Sequence, residues 1–433
     1  MVKIHKLHKI AGLSGGVFLF LLALSGFFLD HDYWNFLYKI QIKTTNPILL
    51  EKEKKVINSI AIDGKHIFIG TYRGIYEKQE NEAQYKHTFK HLVTDIAFPF
   101  IATNDGIYHY SNGVYTPYLL GNKTITSLVL YKDTLLAVEN KHTLIEINTT
   151  SQHITNSCVP HIQKEQLQED ITLSRFIRDL HYGRGLFDGY SLILNDYATL
   201  YLVFLVVSGY GIFYLIRKKH YPKTTRKFIK LHANIFVLFA SFFLTILAIS
   251  GIFLDHASSL RKMMKTTTIN HSILPPVYNS LTHDIWSVDF DGKNYRIGNR
   301  FGIYKSQDLH QWKLESKGFA YSMSRIGEKL YIGGMGAENK ILEKGNYQIL
   351  KNTPHMFKDV YIQNKQSHYL SHSLDNSLLP NFQSVSLYTF LLAIHDGELF
   401  ASWWIWINDY AAFMLLILII TGTLRFLKRK RVL

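Results

Sequence analysis

HKIAGLSGGVFLFLLALSGFFLDHD, residues 8–32, is a long apolar run with a histidine at each end, His8 and His31. Residues 232–257 read HANIFVLFASFFLTILAISGIFLDHA, again bounded by histidines, His232 and His256. Each run approaches the ~20 apolar residues that carry a helix across a bilayer. Two further runs of this kind lie ahead of residues 216 and 424. An integral membrane, α-helical chain with four spans is expected, over 10–29, 196–216, 231–255 and 405–424. No A-x-A-like site follows the first run, so it is read as a retained anchor rather than a signal peptide.

Charge gives the orientation. The formal net charge is +15. Lys3, Lys6 and Lys9 open the chain. Arg217, Lys218, Lys219, Lys223, Arg226, Lys227 and Lys230 follow the second span, and Arg425, Lys428, Arg429, Lys430 and Arg431 close the chain. These three short segments hold no acid and carry the whole excess. That is the positive-inside pattern, so both termini and the short loop are expected in the cytoplasm. The charge follows topology rather than forming a patch, so no nucleic-acid partner is expected. The lipid bilayer is the first partner.

The chain then divides into a start and first span (1–30), a β-rich extracytoplasmic segment (31–195), a second span (196–216), a basic loop (217–230), a third span (231–255), a second β-rich extracytoplasmic segment (256–404), a fourth span (405–424) and a basic tail (425–433). The halves match: Asn195-Asp196-Tyr197-Ala198 answers to Asn408-Asp409-Tyr410-Ala411, and Ser208-Gly209 and Thr421-Gly422 follow at the same spacing. This reads as a tandem repeat of span, outer domain, span. Two such halves make a four-helix bundle, a usual place for cofactors. In the outer segments, runs such as IFIGTYRGIYEK and FIATNDGIYHYSNGVY alternate apolar residues with Asn, Gly and Asp turns. They imply short antiparallel strands. Their recurrence about every 33–35 residues implies propeller-like four-stranded units, somewhat shorter than the ~40–50 residues of common blades.

Three histidine pairs sit at matching places: His8 with His232, His31 with His256, and His181 with His395. Ionisable groups at membrane depth are costly, so their repetition asks for a function. Two neutral imidazoles on facing helices can hold both axial positions of a haem iron. A non-haem metal and a His–Asp proton relay remain open, since Asp30 and Asp255 adjoin His31 and His256. At ~1.5 Å per residue, His8 and His31 lie roughly 34 Å apart on one helix, so two haems, one near each face, are expected rather than one. His8/His232 is the inner pair. For the outer pair His181/His395 is preferred over His31/His256, because Gly183, Gly185 and Gly397 would let backbone approach a flat macrocycle. Asp196 and Asp409 are candidate partners of histidine.

The lone Cys158 excludes an intramolecular disulfide and a cysteine-ligated cluster. No Rossmann fingerprint or H-E-x-x-H occurs, and Gly12-Leu13-Ser14-Gly15-Gly16 has the G-x-S-x-G spacing only within the first apolar run rather than at a strand-to-helix turn, so neither a bound nicotinamide nor familiar hydrolase chemistry is expected.

LHKIAGLSGGVFLFLLALSGFFL and LHYGRGLFDGYSLILNDYATLYLVFLVVSGYGIFYL resemble the paired helices of PepSY-associated transmembrane proteins. Those show a Leu-His start, a small-Gly pair late in the first helix, and His-x-Gly ahead of the next. The resemblance implies a bacterial inner-membrane protein linked to iron acquisition, with its large domains periplasmic. Some relatives are siderophore reductases that hold haem b between four helices; here His8, His232, His181 and His395 are the matching residues. The expectation is transmembrane electron transfer to a ferric chelate, with a cytoplasmic reductase or quinol as donor. The outer segments show no PepSY domain. The rival is a non-enzymatic sensor or assembly factor that binds a partner through its β-domains.

Overall fold

A computed structural model describes residues 2–163, 166, 170–183, 190–218, 222–274, 284–354, 356–363, 366–371 and 379–430. In chain order its helices are α1 (Val2–Leu29), α2 (Asn35–Lys39), α3 (Pro47–Glu53), α4 (Leu173–His181), α5 (Tyr190–Lys218), α6 (Pro222–His232), α7 (Ile235–Asp255), α8 (Arg261–Thr266), α9 (Leu387–His395) and α10 (Ile405–Arg429).

Helices α1, α5, α7 and α10 are long and apolar enough to cross a membrane. A helix satisfies its own backbone hydrogen bonds, which lipid cannot do. At 21 residues, α7 reaches roughly 31 Å, close to the apolar thickness of a bilayer. The helices differ from the apolar runs mainly at their ends: α1 starts at Val2, α5 at Tyr190, and α10 runs on to Arg429. Hydropathy stops at the first charge, whereas a helix continues while lysine and arginine stems reach the headgroups. Helix α7 starts later than its run because Asn234 caps it, accepting from the Val237 N–H.

Helix α1 packs on α5 and α10, and α7 packs on the same two. Their shared core is Leu19, Ala23, Ala198, Leu202, Ala240, Phe243, Leu244, Ala248, Ala411 and Leu415. Half of it is alanine, which lets the backbones approach closely.

The sheets stand at one end of this bundle, called here the sheet side. Four-stranded antiparallel sheets span residues 57–89, 93–119, 125–158, 287–317 and 320–349, and a two-stranded ladder spans 359–370. Every sheet runs in simple sequence order. Turns such as Asn112-Gly113 and Lys344-Gly345 have both residues at positive φ, the geometry of a tight hairpin. The first strands adjoin in the order Ile57–Asp63, Val93–Ala97, Ile125–Tyr131, Ser287–Phe290, Ala320–Ile326 and Asp359–Gln363, and the last adjoins the first. Second strands such as Phe100–Thr103 are buried throughout, while fourth strands such as Val114–Leu119 are largely exposed. Simple alternation therefore fails in the inner strands, because both faces of each sheet pack on a neighbour. Carboxylates clasp adjacent sheets. Asp95 accepts from the Leu128 N–H at 2.8 Å and Ser127 Oγ at 3.1 Å. Asp359 accepts from the Ile60 N–H at 3.0 Å and Ser59 Oγ at 2.9 Å.

Two short ladders join the early and late parts of the chain. Gln41–Lys43 pairs antiparallel with Ser384–Ser386, and Ile171–Thr172 pairs with Thr268–Ile269.

Candidate cofactor site

Helices α4 and α9 are short and lie between the sheets and the bundle. Each is capped by a hydroxyl: Thr172 accepts from the Arg175 N–H, and Ser386 from the Thr389 N–H. Each ends on a histidine, His181 or His395, followed by a glycine with φ of +65° (Gly183) or +78° (Gly397). Those glycines terminate the helices. A Cβ at Gly183 would meet Asn195, and one at Gly397 would meet Trp404. Their role is therefore the turn rather than an approach to a flat ligand. Gly185 lies outside the described residues. The repeated Asn of Asn-Asp-Tyr-Ala fixes the same corner: Asn195 Nδ2 donates to the His181 carbonyl at 3.2 Å, and Asn408 Nδ2 to that of His395 at 3.1 Å.

The sheets hold both short helices. Asp179 of α4 is salt-bridged to Arg300, which also binds Asp284. At the start of α9, Ser386 donates from its N–H at 2.9 Å and its Oγ at 3.0 Å to the buried Glu53 of α3, which faces Arg73. Burial pushes the Glu53 carboxyl up. Lys52 bonds Asp396 and Glu398, just beyond His395.

The rings of His181 and His395 face each other with centroids 6.3 Å apart. His181 Nδ1 lies 3.0 Å from Ser250 Oγ, and His395 Nδ1 lies 2.9 Å from Ser25 Oγ. Each serine already donates its one hydroxyl hydrogen backwards, Ser25 to the Leu21 carbonyl and Ser250 to that of Ile246. It can only accept from the ring, so Nδ1 carries the proton and the Nε2 lone pair is left for a metal. Glycines Gly26 and Gly251 follow those serines, and a Cβ there would stand 3.2 and 3.4 Å from the Cε1 of His395 and His181. A cavity of about 560 Å³ opens at this level, lined by Ala23, Leu244 and Leu415 of the bundle, the two histidines, and Trp286 of the sheets. Its size falls among small-molecule sites.

The same unit recurs at the other end of the bundle. His8 Nδ1 lies 2.8 Å from Thr421 Oγ1, and His232 Nδ1 lies 2.8 Å from Ser208 Oγ. Gly422 and Gly209 come next in sequence, with Cβ positions 3.5 and 3.6 Å from the two Cε1 atoms. His8 and His232 are within electrostatic range of each other and of Arg425. All four hydroxyl anchors belong to Ser-Gly or Thr-Gly pairs. Their fourfold occurrence late in apolar runs is the sequence signal of these anchors.

His31 and His256 are placed differently. His31 Nε2 faces Asp196 Oδ2 at 3.4 Å, and His256 Nε2 faces Asp409 Oδ2 at 2.7 Å. These pairs tie α1 to α5 and α7 to α10. Asp196 and Asp409 thus partner His31 and His256, while His181 and His395 lean on serine.

Burial holds His181 at about 3 and also lowers His395, with the neighbouring His395 adding to the effect on His181. In the unfolded chain an imidazole titrates near 6.5. The folded protein then binds fewer protons, so this contribution is intact above about pH 6.5 and is lost as pH falls toward 3. Thermal melting in detergent between pH 7 and 4 should show that decline, and a His181→Gln/His395→Gln double variant should show a shallower one.

Among the described residues no group of three or more His, Cys, Asp or Glu is placed to hold a metal ion. The profile of one protein family, described as the PepSY-associated TM region, matches residues 133–429. None of the curated proteins matches the chain. Among solved structures, the computationally designed Ika8 protein is 9% identical with a TM-score of 0.34, covering 72% of this chain and 80% of its own. The Cps50 (Swd1) beta-propeller domain of Myceliophteria thermophila is 10% identical with a TM-score of 0.33, covering 70% and 75%. Likeness at this level fixes neither fold nor function.

Proposed function

The chain belongs to the PepSY-associated TM region family, and from that premise we propose that it carries electrons across a bacterial inner membrane through b-type haem held by paired histidines. The observation that carries this reading is the facing pair His181 and His395. Metal–nitrogen bonds of about 2 Å, added to about 1 Å from each ring centre to its nitrogen, put two imidazoles sharing one metal about 6 Å apart. The observed separation is 6.3 Å. Two imidazoles alone suit a ligand that brings its own equatorial donors, as a porphyrin does. His181 and His395 would hold one haem, and His8 with His232 a second. Bound there, haem iron supplies reversible one-electron transfer.

The chain's own residues set the conditions. Ser25 and Ser250 fix the tautomer and aim of the rings. Ala23, Leu244 and Leu415 keep water from the membrane side of the cavity, which raises the weight of every polar contact inside. Trp286 and Arg300 line the end nearest the sheets, where a ferric chelate would approach. We read the six sheets as blades of one propeller shared by two repeated halves, facing the periplasm, with both termini cytoplasmic.

The test is a reduced-minus-oxidised spectrum of protein purified in detergent after expression with haem supplied. A b-type band is expected. His181→Ala and His395→Ala should each remove one component, and His8→Ala and His232→Ala the other. A colourless protein would sink the proposal and favour a sensor or assembly factor.

A further inference from the structure

We propose that the pairs His31–Asp196 and His256–Asp409 are binding sites for a hydroxyl of quinol dissolved in the bilayer. His31 Nδ1 lies 2.8 Å from the Phe27 carbonyl, so that nitrogen carries a hydrogen. Its Nε2 faces one oxygen of Asp196, and His256 Nε2 faces one oxygen of Asp409. The second oxygen of each aspartate, Oδ1, is buried and has no hydrogen-bond partner among the described residues. A buried acceptor left without a partner is destabilising, more so when it is charged. It occurs twice, at corresponding positions of the Asn-Asp-Tyr-Ala motif, so it is a built feature rather than an accident of packing.

Such an oxygen calls for an O–H or N–H donor. The surroundings narrow the choice. Trp34 stacks on His31 at 4.2 Å between centroids, and Trp406 lies 5.5 Å from His256. Tyr33, beside His31, and Trp406, beside His256, are well exposed, as aromatic residues at the bilayer interface commonly are. A ligand that fits is flat, hydroxylated and lipid-soluble, as a quinol is. The neighbouring Asp30 and Asp255 line the cavity that His181 and His395 share, so a ring docked at either pair lies beside it.

The electron side of this inference rests only on the haem proposed at His181 and His395, which a quinol here would load from the sheet side, in parallel with electrons crossing from His8 and His232; the binding side does not rest on it. Oxidising one quinol to quinone breaks two O–H bonds and releases two electrons and two protons. Two ferric chelates take one electron each and become ferrous. The protons pass to the free aspartate oxygens and on to water on the sheet side.

The full chain in nanodiscs free of quinone should bind a short-tailed benzoquinol saturably, near two per chain, read by quenching of tryptophan fluorescence. Asp196→Asn/Asp409→Asn should weaken binding about tenfold or more, the scale of one charge-assisted hydrogen bond. Circular dichroism and gel filtration check that this variant is folded; if it is not, His31→Gln/His256→Gln provides the same comparison. No saturable binding, or equal binding by a folded variant, overturns the inference and leaves water as what satisfies these oxygens. A pigmented protein that binds no quinol fails this inference alone. A colourless one that binds it fails the proposed function alone.

Discussion

Replacing Arg300 with alanine is expected to lower stability by about 3–5 kcal/mol, the cost of breaking a buried ion pair from one side. Arg300 is only 4% exposed. It binds Asp179 and Asp284, lies against Trp286 and Phe319, and its carbonyl accepts from Arg175. Without it the buried Asp179 loses its main counterion. Asp179 stands two residues before His181, so α4 should loosen where it carries the imidazole. Denaturant titration in detergent measures the loss, and a weakened His181-dependent spectrum reads its reach into the site. Arg300→Lys should recover only part, because an ammonium cannot hold two carboxylates in the fork geometry of a guanidinium. Arg300→Met/Asp179→Asn should be milder than Arg300→Ala, because no unpaired charge remains at Asp179. If Arg300→Ala melts like the parent, the clasp between the sheets and α4 is not structural.

The second large effect is expected at Gly26 and Gly251. A Cβ at these positions already crowds the His395 and His181 rings at 3.2 and 3.4 Å, and the γ-methyls of valine would drive the rings from their serines. Gly26→Val/Gly251→Val should lose the haem component assigned to that pair, at a stability cost of about 1–3 kcal/mol for overpacking. Gly209→Val/Gly422→Val should do the reverse and spare it. A full spectrum in both double variants would mean that these pairs hold no cofactor.

The spans were legible because a bilayer imposes a length of apolar sequence that little else needs. Strands and turns were legible from Asn-Gly and from repeated Gly-Ile-Tyr. Partners were less so. His31 and Asp196 stood out in the sequence, but only folding joins them, since they lie on different helices. Ser25 and Ser250 gave no sign of their role, because a hydroxyl is silent until an imidazole from the other half arrives. Gly183 and Gly397 were read as space for a ligand, whereas their positive φ answers a local demand of the turn. The clasps at Arg300 and Glu53 had no sequence signal, because each links residues more than a hundred positions apart.

The two short ladders have a consequence for how the chain is made. Among the described residues Gln41–Lys43 pairs only with Ser384–Ser386, and Ile171–Thr172 only with Thr268–Ile269. During synthesis the first segment must therefore wait, with open strand edges, until most of the chain has been made. Open edges invite wrong partners. The first half emerges as an unfinished intermediate whose completion belongs to the last residues delivered, so a truncated chain should go to proteolysis rather than persist as half a protein.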